Sequence, residues 1–437
     1  MYQLLLEHFP QSNIAPAGLF ALGAVHYAQE KFKDAADAYG QLIQRFPNDK
    51  LVAEAHYWRA NALWALKRME EAYNEFTAFL KSNPQDADKR CMALYRSGLY
   101  LYESKRYDEA EKVFSKLATQ HSESELADDA LYQLGWVYLD AQRIDDALKA
   151  FQRLIQKHPQ SEYIAEANFL IGEALFMQKK FMDALPFYER AAQLATGRDE
   201  ELTGKAQYKR AWTLLRLKKL TEALAAFQQV IDKPVEAEIK ADALLQIGYL
   251  QFQQGKYADA LSAFERILKE YPPSDLTKYA LLYRGRCLNE LKRYDEAEKV
   301  LKEFLAKYRN DALLPQAQFE LGWAYQNRRQ WDAAMELYRK VTEADAGETG
   351  VEAQFRIGEC LYNKGEFKAA LREFLRVALL YEGFPQWIAA SQFYAGMCYE
   401  QLREMERAKR AYRTVIEKYP QSTWAQKSRE RLNEIER

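Results

Sequence analysis

The chain has 437 residues, and its 62 Lys and Arg nearly balance its 63 Asp and Glu, which gives a formal net charge of −1. A protein so close to neutral has no overall field that would hold nucleic acid or an anionic membrane. Hydrophobic residues make up 48% and charged residues 29%. The chain therefore has enough apolar material for a core along its whole length, which excludes a disordered chain.

Residues 1–14 form the first predicted element, the second helix of a hairpin that lacks its first helix. Residues 2–12 align with residues 412–422, which are a helix and its stop. An unpartnered helix would expose Leu4 to Leu6, whereas terminal repeats need a polar outer face. We therefore expect the natural protein to continue upstream, where a further segment could supply a membrane anchor.

Residues 15–422 contain eleven copies of one pattern, spaced by 36 to 39 residues. Each copy has a small residue in a predicted helix A, an alanine twelve positions later in a predicted helix B, and a bulky residue four positions after the alanine. Two antiparallel helices approach closely only where one side chain is small, so the pattern predicts eleven helix-turn-helix repeats in one continuous solenoid. The small residues are Gly23, Ala60, Gly98, Gly135, Gly172, Ala211, Gly248, Gly285, Gly322, Gly358 and Gly396.

The fourth repeat shows the pattern most fully, with the spacings L-x2-L-G-x2-Y, A-x3-F and a final proline. Its residues are Leu131, Leu134, Gly135, Tyr138, Ala147, Phe151 and Pro159. This pattern resembles the tetratricopeptide signature, with Leu in the usual Trp position, and the resemblance implies an all-α, right-handed superhelical solenoid. The spacing near 37 residues and the F/Y-P-x-S stops resemble the repeats of bacterial cell-envelope proteins, namely the lipoprotein BamD and the Tol-system coordinator of peptidoglycan synthesis.

Stops such as residues 46–49 and 158–161 end most B helices, because proline cannot continue a helix. The Ser or Asp that follows the proline is predicted to cap the next helix. Residues 195–204 and 344–350 break this regularity and are the expected places for a bend. Residues 423–437 have amphipathic spacing and are predicted to form a C-terminal capping helix.

The resemblance also implies that helix A lines a concave groove, with inward positions three before, one after and four after the small residue. Aromatic residues dominate these positions. Core packing is the favoured interpretation for the first position, and partner binding is favoured for the tryptophans, which are enriched at interfaces. The predicted groove residues are Tyr57, Trp64, Tyr95, Asp129, Tyr132, Trp136, Phe169, Glu173, Phe176, Tyr208, Trp212, Tyr249, Phe319 and Trp323.

The charges beside these aromatic residues are uneven along the sequence. Acidic residues prevail in repeats two to five and basic residues further on, which suggests an acidic aromatic groove for a segment with apolar anchors and Lys or Arg. Ordinary solvated charge is the alternative interpretation. The acidic residues are Glu54, Asp129, Asp140, Glu166 and Glu173, and the basic ones are Lys205, Arg216 and Arg286.

No residue pattern points to catalysis, a cofactor or a metal. The sequence has no GxGxxG, Walker, HExxH or GxSxG motif. The pairs Asp128-Asp129 and Asp145-Asp146 are expected at solvated helix starts. The four cysteines show no CxxC spacing and favour buried thiols, although a disulfide between Cys360 and Cys398 stays open.

These observations predict a non-catalytic scaffold that binds peptides or proteins. The resemblance implies a bacterial envelope setting, in the periplasm or at the outer membrane, in outer-membrane assembly, cell-wall synthesis, secretion or motility. The alternative is a cytoplasmic adaptor or sensor domain of a larger protein. A helical-repeat RNA binder is less favoured, because such proteins carry basic stripes, and direct insertion of this chain into a membrane is not expected.

Overall fold

The structure, a computed structural model, describes residues 12–436. Within these residues the chain forms 23 α-helices and no strand, so the predicted all-helical solenoid class is confirmed. Of the first predicted element, residues 12–14 form a turn that leads into the first helix, and the remainder lies outside the described residues. The chain divides into two compact units, Met1–Ala223 and Leu224–Arg437.

The helices alternate between A and B helices of eleven hairpins, followed by one last helix. The A helices are α1 (Ala15–Ala28), α3 (Val52–Ala65), α5 (Ala87–Glu103), α7 (Ala127–Asp140), α9 (Ile164–Met177), α11 (Glu200–Arg216), α13 (Ala237–Gln253), α15 (Asp275–Glu290), α17 (Leu314–Asn327), α19 (Glu348–Asn363) and α21 (Pro385–Gln401). The B helices are α2 (Phe32–Arg45), α4 (Met69–Lys81), α6 (Tyr107–Gln120), α8 (Ile144–Lys157), α10 (Phe181–Ala195), α12 (Leu220–Val230), α14 (Tyr257–Glu270), α16 (Tyr294–Lys307), α18 (Trp331–Ala344), α20 (Phe367–Leu380) and α22 (Met405–Lys418). The last helix is α23 (Thr423–Glu436).

Within each unit, consecutive helices pack against each other, and A helices of neighbouring repeats also touch. The unit boundary lies inside α12. Helix α23 packs on the last hairpin through Trp424, whose ring centroid lies 5.3 Å from that of Phe393. A helix is therefore present where a capping helix is predicted, whereas its capping role and one solenoid continuous over residues 15–422 stay predictions.

The small residue of helix A makes room for the bulky residue of helix B in the same hairpin. A Cβ atom added at Gly135 would lie 2.3 Å from ring carbons of Phe151, and one at Gly248 would lie 2.6 Å from Phe264. Both rings are fully buried. The contact that the spacing predicts is thus the one that closes each hairpin.

The turn between helices A and B contains one residue with positive φ in every hairpin. Glycine occupies it twice, as Gly255 and Gly365, with φ of 73° and 81°. In the other hairpins a residue with a side chain adopts this left-handed backbone conformation, which is unfavourable for L-residues. These residues, with φ between 59° and 62°, are Glu30, Lys67, Lys105, Gln142, Lys179, Lys218, Lys292, Arg329 and Arg403.

The Ser or Asp after the stop caps the next helix at some repeat boundaries and only a turn at others. Asp86 and Ser274 are the N-caps of α5 and α15. Asp49 Oδ1 accepts a hydrogen bond from the Leu51 amide at 2.8 Å, and α3 begins only after Leu51. At α23, Ser422 Oγ accepts from the Ala425 amide at 3.1 Å, which is a true N-cap. The prediction that these side chains cap the next helix is therefore confirmed at α5, α15 and α23 and wrong at α3, where the side chain caps the preceding turn.

The two irregular segments have distinct local causes. In the first, Gly197 has φ of +77° and the Asp199 side chain caps α11 by accepting from the Leu202 amide at 2.9 Å. In the second, a Cβ atom at Gly350 would lie 1.7 Å from the Asp345 carbonyl oxygen, so only glycine fits. A bend or hinge at either segment stays a prediction.

Candidate protein-binding face

The predicted groove residues lie on the A helices, but most of those three before the small residue are part of the packed interior. The Tyr57 and Tyr132 side chains are only 9% and 8% exposed. The centroid of the Phe169 ring lies 5.9 Å from that of Tyr188 on the B helix of the same hairpin, and Phe319 lies 5.4 Å from Tyr338 in the same way. The core interpretation favoured for this position agrees with these contacts, and Tyr95 packs on Phe114 similarly.

The four tryptophans of the predicted groove, Trp64, Trp136, Trp212 and Trp323, are half-buried, so they are not sealed between hairpins. A guanidinium group lies over three of the four rings, with the Arg Cζ atom 5.4 Å from the centroid of Trp64, 5.7 Å from Trp212 and 4.3 Å from Trp323. Trp136 instead meets the ring of Tyr132 edge-on at 6.4 Å. Each indole is thus anchored by neighbours and keeps part of its surface in solvent.

The remaining predicted aromatic residues make similar local contacts. Phe176 packs edge-to-face on Phe181 at 5.1 Å, at the turn of its hairpin. Tyr208 meets Trp212 edge-on at 6.4 Å. Tyr249 lies 4.4 Å from the ring of Tyr283 on the next A helix. Contacts between successive A helices therefore use some of the predicted groove surface.

Asp129 is not at a solvated helix start, so that expectation was wrong for this residue. Its side chain is half-buried, and its Oδ1 atom accepts hydrogen bonds from the Tyr163 hydroxyl at 2.9 Å and the Tyr95 hydroxyl at 3.4 Å. Burial raises the pKa of Asp129. The carboxylate connects the A helices of repeats three and four with the residue that precedes α9.

The other predicted acidic residues also have internal partners. Glu173 Oε2 accepts from Lys209 Nζ at 2.7 Å, and Glu54 accepts from Lys89 Nζ at 2.8 Å. Asp140 accepts from the Tyr102 hydroxyl at 2.7 Å. These pairs join neighbouring repeats, so the acidic residues are not a bare negative surface.

A pairing rule relates these contacts between neighbouring repeats. The residue one after the small residue faces the residue two before the small residue of the next repeat. Lys209 pairs with Glu173 in this way, and Glu320 pairs with Arg286 at 2.9 Å. Arg356 over Trp323 and Tyr283 against Tyr249 follow the same rule with aromatic partners.

Sequence similarity to known protein families agrees with this repeat geometry. Residues 20–87, 132–199, 245–312 and 319–386 match a family model described as tetratricopeptide repeat, and residues 92–124, 205–234 and 390–422 match a second model of the same description. The chain belongs to the tetratricopeptide repeat family. Proteins of this family are typically non-catalytic scaffolds that bind proteins or peptides.

No curated protein matches this tetratricopeptide chain in sequence. Among solved structures, it is similar to the APC/C hetero-tetramer Cut9–Hcn1, with 12% identity, 98% of each chain covered and a TM-score of 0.41. It is also similar to MamA from Desulfovibrio magneticus RS-1, with 24% identity, 42% of this chain and 96% of that chain covered, and a TM-score of 0.36. A tetratricopeptide repeat protein from Parabacteroides merdae ATCC 43184 has 17% identity, 62% and 98% coverage, and a TM-score of 0.39. Identities this low carry no information on function.

The sequence interpretation missed the position two before the small residue. In the second unit, this position holds Glu320, whose Oε2 atom also accepts from the Asn289 amide at 3.0 Å. Burial raises the pKa of Glu320. Glu320 lines a cleft of ≈ 280 Å³ together with Arg286 and Phe319. Opposite charges one repeat apart, such as Glu173 with Lys209, are the signal that would have revealed this position.

The tetratricopeptide chain shows no further chemical centre within residues 12–436. In that range no group of three or more His, Cys, Asp or Glu could hold a metal ion. None of the helices described there has the length and apolar character needed to cross a membrane. Cys360 and Cys398 are both free, so the open disulfide is absent, and burial raises the pKa of each thiol to about 12.

Proposed function

We propose that this chain is a non-catalytic scaffold that binds peptide or protein segments on the face that the A helices form within each unit. The observation that carries the proposal is the half-buried tryptophans on the A helices, Trp64, Trp136 and Trp212 in the first unit and Trp323 in the second. Each presents a large apolar surface at low conformational cost, since its neighbours already hold the ring. Rigid aromatic anchors of this kind dominate the binding energy of protein interfaces.

The partner of this face is a segment with apolar side chains as its main anchors. The acidic residues of repeats two to five add a preference for Lys or Arg in the partner. Their carboxylates, however, already accept hydrogen bonds from side chains of neighbouring repeats. Asp129, for example, already accepts two tyrosine hydroxyls. A basic partner residue therefore adds to these hydrogen bonds and does not meet a free carboxylate.

The test compares partner capture by the wild-type chain with capture by Trp136→Ala, Trp212→Ala and Trp323→Ala. We expect each substitution to weaken partner recovery, by about tenfold for an anchor residue that contributes 1–2 kcal/mol. Met182→Ala is the matched control, because Met182 is 65% exposed but lies on a B helix. Unchanged recovery with all three tryptophan variants, each shown to be folded by circular dichroism, would refute the A-helix face as the binding site.

A second comparison separates the charge preference from the aromatic anchors. Asp129→Asn removes the charge and keeps an oxygen that can accept from both tyrosines, and Glu166→Gln does the same for the carboxylate bonded by Tyr132. We expect the double variant to lose partner affinity mainly at low salt. Equal affinity for both proteins at low and high salt would show that charge plays no part.

We further propose that the scaffold works in the bacterial cell envelope, in the periplasm or at the outer membrane, in assembly, cell-wall synthesis, secretion or motility. The support is the repeat spacing near 37 residues and the Tyr-Pro-x-Ser type stops, which resemble BamD-like and Tol-system repeats. Fractionation of the source cells, combined with the upstream gene sequence, tests this. Recovery in the cytoplasm would instead support the adaptor or sensor alternative, and a salt-dependent gel shift with RNA would contradict a protein-only partner.

A further inference from the structure

The outer face of α20 in repeat ten carries three exposed leucines. Leu375, Leu379 and Leu380 are 41%, 75% and 57% exposed. Three large apolar side chains on one helix therefore keep much of their surface in water. The opposite face of the same helix packs into the core through Phe374 and Val377. The leucines are thus not needed to hold α20 in its hairpin.

Comparison with the other repeats shows that these leucines depart from the repeat pattern. Leu375 lies five residues after Ala370, the alanine that recurs in every B helix, and Leu379 lies nine residues after it. At the position of Leu375, nine of the ten other repeats carry a polar or charged residue and one carries Gly40. At the position of Leu379, nine carry a polar or charged residue and one carries Ala306. A B-helix face that is otherwise polar therefore becomes apolar in this repeat alone.

Charges of opposite sign flank the leucines along the helix. Arg372 lies one turn before Leu375, and Glu382 lies just beyond the C-terminal end of α20; both are exposed. Neither the guanidinium group of Arg372 nor the carboxylate of Glu382 has a hydrogen bond or ion pair to a residue between positions 12 and 436. Arg372, Leu375 and Leu379 follow the i, i+3, i+7 spacing of one helical stripe.

We propose that a second copy of this chain covers this stripe, with the two α20 helices antiparallel about a two-fold axis. Centred at the level of Val377, this arrangement places Leu375 against the partner's Leu379 and Arg372 against the partner's Glu382. The contact is isologous, because the same residues serve both subunits. Arg376 also lines this surface between Leu375 and Leu379, but it is paired with Glu373 of its own helix at 3.1 Å. The unpaired charges at the two ends, one basic and one acidic, therefore complement each other in this antiparallel order.

The stripe is small, so the dimer is weak and depends on concentration. Two leucines and one charge pair from each copy form a contact at the low end of specific interface sizes. Sedimentation equilibrium of the wild-type chain should therefore give a mass near 51.0 kDa at low micromolar concentration and a rising average mass towards millimolar concentration. A constant monomer mass over this range would overturn the proposal.

Charge reversal tests the order of the contacts. Arg372→Glu places like charges together at both ends of the pair and should weaken dimerisation by about tenfold or more. Glu382→Arg should have a similar effect. The double variant Arg372→Glu with Glu382→Arg restores opposite charges and should return the dissociation constant to within about threefold of wild type. A double variant as weak as the singles would overturn the antiparallel arrangement.

Leu379→Glu removes the centre of the contact and should keep the chain monomeric at all concentrations, with unchanged helical content. Met182→Glu is the matched control, since Met182 is similarly exposed, at 65%, on another B helix. Dimerisation should be as in wild type for this control. If Leu379→Glu dimerises as wild type, or if Met182→Glu abolishes dimerisation equally, the α20 stripe is not the contact.

Discussion

A single methyl group at Gly135 tests whether the small residue of helix A sets the spacing of each hairpin. A Cβ atom there would lie 2.3 Å from Phe151, and normal contact needs at least about 3.4 Å. The ring is fully buried, so it cannot swing into solvent. In Gly135→Ala, the ring and the two helices must therefore separate by roughly 1 Å.

Two opposing effects decide the magnitude of this change. Alanine in a helix interior is favoured over glycine by about 1 kcal/mol, whereas overpacking a closed core costs about 1–3 kcal/mol. Repeats two and six carry Ala60 and Ala211 at this position, so a hairpin can be spaced for a methyl group, which argues against the upper limit. Set against each other, the two effects leave a loss of roughly 0–2 kcal/mol, and we expect Gly135→Ala to lower the stability of repeat four by about 1 kcal/mol.

Gly40→Ala is the matched control. Gly40 also lies inside a helix, α2, but a Cβ atom there would meet only the guanidinium end of Arg59, at 3.2 Å. This flexible side chain can move, so the same helix preference should act almost alone and stabilise repeat one by up to about 1 kcal/mol. The two substitutions are chemically identical and differ only in what the new methyl group meets.

Hydrogen exchange measured by mass spectrometry is the appropriate assay, because repeat arrays do not unfold as a single two-state unit. Amides of α7 and α8 should lose protection in Gly135→Ala, while amides of α2 should keep or gain protection in Gly40→Ala. Equal or greater protection of α7 and α8 in Gly135→Ala would refute the view that this glycine makes room for Phe151.

Three further predictions concern turns and buried charge. Lys292→Gly should stabilise by about 0.5–1 kcal/mol in thermal unfolding, because φ is +60° there, and Gly255→Ala should destabilise by a similar amount. Burial raises the pKa of Asp129 above 3.8. The contribution of Asp129 to stability is therefore greatest below that pH and is lost as the pH rises through the pKa of the folded state. Asp129→Asn should flatten this pH dependence when unfolding is measured across acidic pH. Arg356→Met should cost about 2–3 kcal/mol, since it strands the carboxylates of two paired glutamates, and should alter the fluorescence of Trp323.

The closure of each hairpin could be predicted from the sequence, because it depends on residues at a fixed short spacing. Gly135 and Phe151 are 16 positions apart, and the same pair of sizes recurs in each repeat. The contacts between repeats could not be found in this way. Glu173 and Lys209 are 36 residues apart, and their relation is visible only when two neighbouring repeats are aligned and compared as a pair.

The turns and Asp129 show a second limit of the sequence interpretation. Lysine is not a turn residue by preference, so Lys67 and Lys105 gave no signal of the left-handed conformation that the structure shows. Asp129 follows Asp128 near a helix start, and such pairs usually lie in solvent. Two tyrosines, 34 residues before and 34 residues after Asp129, donate hydrogen bonds to it. The residues near Asp129 in the sequence do not predict these contacts.

The pairing between repeats also ranks the tryptophans as binding anchors. Arg356 covers one face of Trp323 and is itself held by Glu352 and Glu359, so a partner must use the ring edge or displace a paired arginine. The position that corresponds to Arg356 beside Trp136 is Leu170, which cannot compete for the ring by charge. We therefore expect Trp136→Ala to weaken partner binding more than Trp323→Ala, by at least about threefold in dissociation constant. Titration of a captured partner with both variants measures this, and a larger loss for Trp323→Ala would mean that the arginine is part of the binding surface and does not shield the ring.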